Sequence, residues 1–216
     1  DSITNPTSKT DKPKDDFTFQ ILDWEQAHDI DDEEEEKFVV RLYGRTQDDK
    51  SVCLKVNEFT PYFFIEVPEE WKTFHIKMFM EQLTSTVIQR TSRNPELEHG
   101  FKNSLLTYEV VEKYKFYDFS NKKKFRFIRL IFKSYSAFKQ YDYVVRNPMY
   151  IPSISRHKKW RLQRYESNIE PMFRFMHIRN LYSTGWVNIE RKNLTKIVDQ
   201  SVCDLNYEVD WTDVNP

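Results

Sequence analysis

Two short stretches of this chain carry side chains that could do chemistry on a polyanion. In the first, Lys122, Lys123, Lys124 and Arg126, with Arg129 and Lys133 beyond, enclose Phe125 and Phe127. In the second, Arg156, His157, Lys158, Lys159, Trp160 and Arg161 lead through Arg164 to Tyr165. Cations beside aromatic rings suit single-stranded nucleic acid, because the charges hold phosphates while the rings stack on bases. Pro148 and Pro152 upstream predict that the second cluster sits on an exposed loop leading into a strand. The competing reading makes residues 122–124 a solvated hairpin turn and places the rings in the core.

Other chemistries are excluded more firmly. The chain has no nucleophile elbow, Walker loop, HExxH or pair of carboxylates on a well-formed strand. With 3 glycines in 216 residues it has no room for glycine-rich phosphate loops or dinucleotide fingerprints. The histidines are scattered, and Cys53 and Cys203 have no metal or redox spacing, so no metal site is expected and a reduced intracellular protein is. Two-metal phosphoryl transfer needs clustered carboxylates, so the segment is expected to be inactive alone. Lys+Arg 33 against Asp+Glu 34 gives a net charge of −1, so any attraction for nucleic acid must come from local segregation of charge. No apolar run is long enough to predict a membrane span, and no signal peptide is seen.

The elements that must position these clusters follow from periodicity. Residues 1–16 read as a mobile polar leader and 17–24 as a first strand. The acidic run 29–36 reads as a solvated loop. Alternation over 37–44 and 51–57 predicts a β-hairpin, with Phe38, Val40 and Leu42 facing Val52, Leu54 and Val56. Residues 62–67 form a buried strand. Pro68, Glu69 and Glu70 are expected to open a helix in which Ile76, Phe79, Leu83 and Val87 recur at helical spacing. A loop over 93–103 leads to strands at 105–117 and 124–133. Ser134 is expected to cap a helix with Phe138, Tyr141 and Val145 inward, stopped at Asn147 and Pro148. A strand over 160–165 completes the order strand, helix, strand, strand, helix, strand, which is the ferredoxin-like or RRM-like βαββαβ pattern. Asn168 is expected to cap a further helix carrying Pro171 in its first turn, and 187–190 and 205–209 return as strands. The fold class is therefore α+β, with 17–60 as N-terminal β-hairpins, 61–165 as the inserted unit and 166–216 as the helix and strands that rejoin the β body.

Two blocks of residues resemble a known family. One is Tyr165, Glu166, Ser167, Asn168 and Ile169, followed by Arg174, Phe175 and Met176 and then Gly185 and Trp186. The other contains Tyr43 and Gly44, the strand 51–57, and then Pro61 and Tyr62. Both are similar, in this order, to the pre-exonuclease N-terminal region of B-family DNA polymerases of the delta-like branch, particularly those of large eukaryotic DNA viruses. The resemblance implies a mixed, partly OB-like β body. It also implies a parent that is a DNA-directed DNA polymerase with a 3′–5′ exonuclease and Mg2+ at each site, with no cofactor in this segment. Template and primer DNA and the other polymerase domains would be its partners, with a sliding clamp reached through the parent, in a host nucleus or a cytoplasmic viral replication compartment. The chain opens on Asp1 rather than methionine, as expected of a piece of a longer protein. The segment would brace the exonuclease and palm and guide single-stranded template. The alternatives are a free-standing RRM-like single-strand-binding module or a purely structural interaction domain. The motif residues read as structural: Glu166 and Asn168 would tie a strand end to a helix start. Arg174, set among apolar neighbours, needs a partner such as Glu166 or Glu170. Trp186 on the return strand is expected to be buried, with Gly185 permitting close approach.

Overall fold

Alternation in the first third of the chain becomes a sheet with one continuous apolar face, with Val39 and Cys53 buried on the other. The computed structural model describes residues 16–32, 34–92, 104–115, 123–198 and 200–216. The expected leader (but for Asp16), the 93–103 loop and Lys122 lie outside them. β1 (Asp16–Ile30) pairs antiparallel with β2 (Glu36–Arg45), which pairs with β3 (Ser51–Asn57) in the register Val40↔Val56, Leu42↔Leu54 and Gly44↔Val52. The apolar set Phe17, Phe19, Ile21, Phe38, Val40, Leu42, Val52, Leu54 and Val56 is buried together.

A second sheet is assembled from β4 (Tyr62–Glu66), β5 (Leu105–Lys113), β6 (Phe125–Phe132) and β9 (Arg164–Tyr165) in the order β5-β6-β4-β9, every neighbour antiparallel. Helices α1 (Thr73–Thr91) and α2 (Tyr135–Arg146) cover one face, burying Ile76, Phe79 and Leu83, and Phe138, Tyr141 and Val145, against Phe63, Ile65, Ile128, Leu130 and Phe132. Ser134 Oγ accepts from the Ala137 N–H at 3.1 Å, a cap of about 1 kcal/mol.

The chain then returns to the first sheet. α3 (Pro171–Ile178) leads to β10 (Trp186–Glu190), which pairs with β1, while β11 (Thr195–Lys196) pairs with β12 (Leu205–Asp210), and β12 runs parallel to β3. The six-stranded order is β10-β1-β2-β3-β12-β11. The fold is thus mixed α+β and sheet-dominated. Tyr135 packs against both cores, and the Phe38 N–H donates to the Lys133 carbonyl at 3.0 Å between the sheets.

Several local expectations are corrected. α1 starts at Thr73, because Pro68 to Trp71 is a turn closed by Trp71 N–H to the Pro68 carbonyl at 3.0 Å, and Trp71 dives into the core. His75 Nδ1 accepts from the Lys72 N–H at 3.0 Å and ties the helix entry in place of the acids. Glu170, not Asn168, holds the N-cap position of α3, with Pro171 following. The strand expected over 160–165 is split: β8 (Lys159–Trp160) pairs with β7 (Met149–Tyr150), and only β9 joins β4. The acidic run is no mere solvated loop, since Asp31 and the buried Glu35 close on Lys133.

Trp186 is also corrected, being 45% exposed. It lies on the edge strand β10 across from Gln20, on the face opposite the buried Val187 and Ile189. Trp186→Ala is accordingly expected to cost less than about 1 kcal/mol in chemical denaturation, as surface substitutions do. A loss of several kcal/mol would restore the buried reading.

Candidate nucleic-acid interface

The β7–β8 pair sorts the second basic cluster by strand alternation. In the register Met149↔Trp160 and Tyr150↔Lys159, one pair points inward and the next outward. Trp160 is buried edge-on against Trp71, with ring centroids 5.1 Å apart, and the Lys158 ammonium lies 3.8 Å above its ring. It cannot serve as a stacking platform, which corrects its place among the contact candidates. Lys158 also pairs with Glu70 at 3.0 Å. Glu70 titrates lower than usual, first through its own backbone N–H and then through Lys158. Arg164 is half-buried, bound to the carboxylate of Asp142 and 3.1 Å from Ser167 Oγ, so it braces the fold.

What remains outward is Arg156, His157, Lys159 and Arg161, all exposed. Among the described residues, neither Arg156, Lys159 nor Arg161 has a carboxylate partner within ion-pair distance. The ring beside them is Tyr150, 45% exposed, whose hydroxyl donates to the Arg156 carbonyl at 2.9 Å and which has the Lys159 ammonium 5.9 Å from its centroid. Sequence reasoning missed Tyr150. Alternation from a buried Met149 would have placed it outward.

The first cluster has spent most of its charge. Lys123 pairs with Glu69, which titrates lower than usual because of that hydrogen bond and the ammonium's charge, and it lies over Phe125 at 5.3 Å. Lys124 approaches the Tyr114 ring at 5.6 Å. Arg126 donates to the carbonyl of Trp71 at 2.5 Å and so holds the turn before α1. Arg129 lies over Tyr62 at 4.0 Å and 3.5 Å from Glu109. Partial burial opposes the Lys133 ammonium, but the hydrogen bonds it donates to the carboxylates of Asp31 and Glu35 outweigh it and raise its pKa.

The two motif blocks meet on the face of the second sheet opposite α1 and α2, where Arg174 of α3 packs on Tyr62. The Tyr165 hydroxyl donates to Glu66 at 2.9 Å; burial first, and Glu66 next, raise its pKa. Arg174, 5% exposed, reaches the Glu166 carboxylate at 3.0 Å and the Glu166 carbonyl at 2.9 Å, and lies 3.9 Å above the Tyr62 ring. Glu166 adopts φ 59°, the left-handed region that turns its carbonyl toward Arg174, and the Ile169 N–H closes on the same carbonyl at 3.3 Å. Ser167 faces Arg164, while Asn168 and Ile169 line a cleft of about 350 Å³ with Phe64, Phe127 and Tyr165. Phe64 and Phe127 are each 4% exposed, so this face offers no open stacking surface of the RRM kind. Phe175 is fully buried against Phe59 and Trp24, and the Met176 carbonyl accepts from the Leu181 N–H. The Pro61 carbonyl accepts from Phe132, and the Tyr43 hydroxyl donates to Glu25 at 2.8 Å. Gly185 lies against Tyr182, and Gly44 against β1.

Among the described residues no group of three or more His, Cys, Asp or Glu is placed to hold a metal ion. No helix there is long and apolar enough to cross a membrane.

No protein-family model matches the chain. It is 43% identical over 211 residues to a DNA polymerase of Acanthamoeba polyphaga mimivirus, an alignment covering 98% of this chain and 12% of that protein. It is 25% identical over 187 residues to the DNA polymerase delta catalytic subunit of Drosophila melanogaster, covering 79% of this chain and 16% of that one. The fold is similar to that of a family B DNA polymerase from the hyperthermophilic archaeon Pyrobaculum calidifontis, with a TM-score of 0.55 and 16% identity over 89% of this chain and 20% of that one. The chain thus spans about a fifth or less of the proteins it matches.

Proposed function

We infer, for a chain that belongs with the viral and delta-type B-family DNA polymerases, that it is the N-terminal domain of a replicative polymerase. The parent would carry out DNA-templated nucleotidyl transfer and proofread with a 3′–5′ exonuclease, each on carboxylate-held Mg2+. This segment would brace those domains and guide single-stranded template. The four-stranded sheet, read as βαββαβ with the order 2-3-1-4, supports naming residues 61–165 a ferredoxin-like unit, set into a partly OB-like body of 17–60 and 166–216.

The observation that carries template guidance is the outward set Arg156, Lys159 and Arg161 beside Tyr150. It is open to solvent, while the cations of the first cluster are engaged by carboxylates, carbonyls and rings. Phosphate contacts of this kind tolerate any sequence and weaken steeply with salt. Reversing Arg156, Lys159 and Arg161 to Glu together should lower single-strand affinity, and should reduce the salt slope by roughly 2, at ~0.7 for each phosphate no longer neutralised. Reversing Lys123 and Lys124 should do little. If the second pair abolishes binding and the first set does not, the wrong cluster carries the strand. If neither matters, the segment is a structural scaffold.

A further inference from the structure

Two grooves meet on the helix-covered side of the second sheet, the first bordered by Ser167 and Asn168 of the motif block. One, about 440 Å³, is lined by Arg90, Lys139, Asp142, Arg146, Arg164 and Ser167 among others. The other, about 480 Å³, continues past Tyr143 to Tyr150. Both share Arg90 and Tyr143. The Arg90 guanidinium lies 4.0 Å above the Tyr143 ring, which remains 46% exposed.

The charge in the first groove is built, not incidental. The carboxylate of Asp142, buried at the wall, takes Arg146 at 2.9 Å on one oxygen and Arg164 on the other. One carboxylate therefore orients two guanidiniums, each with several N–H donors to spare. Arg146 is 61% exposed at its side chain and Lys139 53%. Lys139 has Glu170 at 3.6 Å, and Arg90 has only the Tyr143 ring among the described residues. Four cations thus face one buried and one half-exposed carboxylate. A solvated surface of a chain with net charge −1 has no reason to concentrate positive charge in a concavity. The groove also runs on to Tyr150, the ring beside Lys159 and Arg156.

We propose that these grooves bind a phosphate ester of a nucleotide, with the phosphate at Lys139, Arg146 and Arg164 and the base against Tyr143. In the strand-bound form this lengthens the template path by a second contact on α1 and α2, and that extension rests on the reading above. A single strand and a free nucleotide share this chemistry, and the path to Tyr150 favours the strand.

The test uses the 216-residue chain, a dye-labelled twelve-residue oligo-dT in fluorescence anisotropy across a salt series, and dTMP in calorimetry. Lys139→Ala with Arg146→Ala removes two exposed cations and leaves Asp142 paired to Arg164, and Tyr143→Ala removes the ring; thermal melting checks that each variant folds. The double variant should lower oligonucleotide affinity on the order of tenfold at low salt and cut the slope by roughly 1.4. Tyr143→Ala should lower affinity on the order of tenfold with the slope unchanged. If dTMP binds as tightly as the oligonucleotide and the double variant abolishes both, the site stands and its ligand is a nucleotide. If the folded double variant keeps affinity and slope while the Arg156, Lys159, Arg161 reversal loses them, the groove is no phosphate site and template guidance survives. If neither set moves binding, both fail.

Discussion

Gly44→Ala is expected to cost on the order of 4 kcal/mol or to prevent folding altogether, the range reached when overpacking forces backbone to move. Gly44 pairs with Ile21 on β1, and the next pair is Asp23 with Tyr43, so Leu22 is an extra residue bulged out of the ladder. A Cβ on Gly44 would lie 2.0 Å from the Gln20 carbonyl oxygen and 2.6 Å from Phe19 Cδ2. The first of these is backbone, which cannot rotate away. The requirement is space alone, because Gly44 does not use a positive φ. Gly185→Ala is the matched control: its Cβ would meet the Tyr182 side chain at 3.0 Å, and Tyr182 is 75% exposed and free to swing. Urea denaturation of both variants decides the matter, and equal, small losses would show that β1 yields at the bulge.

Lys133→Met should destabilise by about 3 kcal/mol, the lower end of what stripping one partner from a buried ion pair costs, because this one is partly buried. Lys133 is 17% exposed and lies between Asp31 and Glu35, 20% and 11% exposed at their side chains. Without the ammonium, two carboxylates are left facing each other where the sheets join. The raised pKa of Lys133 means that its contribution is complete below the unfolded value of about 10.4 and is lost only as pH rises through the folded one. The variant's deficit should therefore be flat across neutral pH. It should shrink as pH falls toward about 4, where carboxylates take up protons. Adding Glu35→Met should recover part of the loss, since an apolar replacement of the whole pair is tolerated better than half of it. A deficit that grows on acidification would show that the cation was not what held the carboxylates.

How much of this is legible in the sequence depends on whether the deciding contact is local. The β2–β3 hairpin and α2 are, since alternation and a Ser134 cap act within a few residues. Trp160 reads in sequence as a stacking ring because its partner, Trp71, lies in another element and itself reads as part of a helix opening. Trp186 misleads in the opposite sense, although alternation with the buried Val187 and Ile189 places it outward, on the side of Asn188 and Glu190. Arg174 is recognisable as needing a partner, and Glu166 fills that role while Glu170 turns to Lys139. The grooves at Arg90, Lys139 and Arg146 have no linear signature, because α1 and α2 bring them together only when both pack on one sheet.

The way β1 is flanked has a consequence for how the chain is made. Its outer neighbour is β10, and Thr18 meets Asn188 across 170 positions of sequence. β3 likewise waits for β12. A ribosome adding about 5–20 residues each second needs on the order of ten seconds or more to deliver those strands. Through that interval the hairpins made first have two open edges, while the later sheet of β4, β5 and β6 can close behind them. Vectorial synthesis therefore inverts the order of completion. Among the described strands, the first-made are the last to be sealed, and until then their open edges are exposed to pairing with other chains.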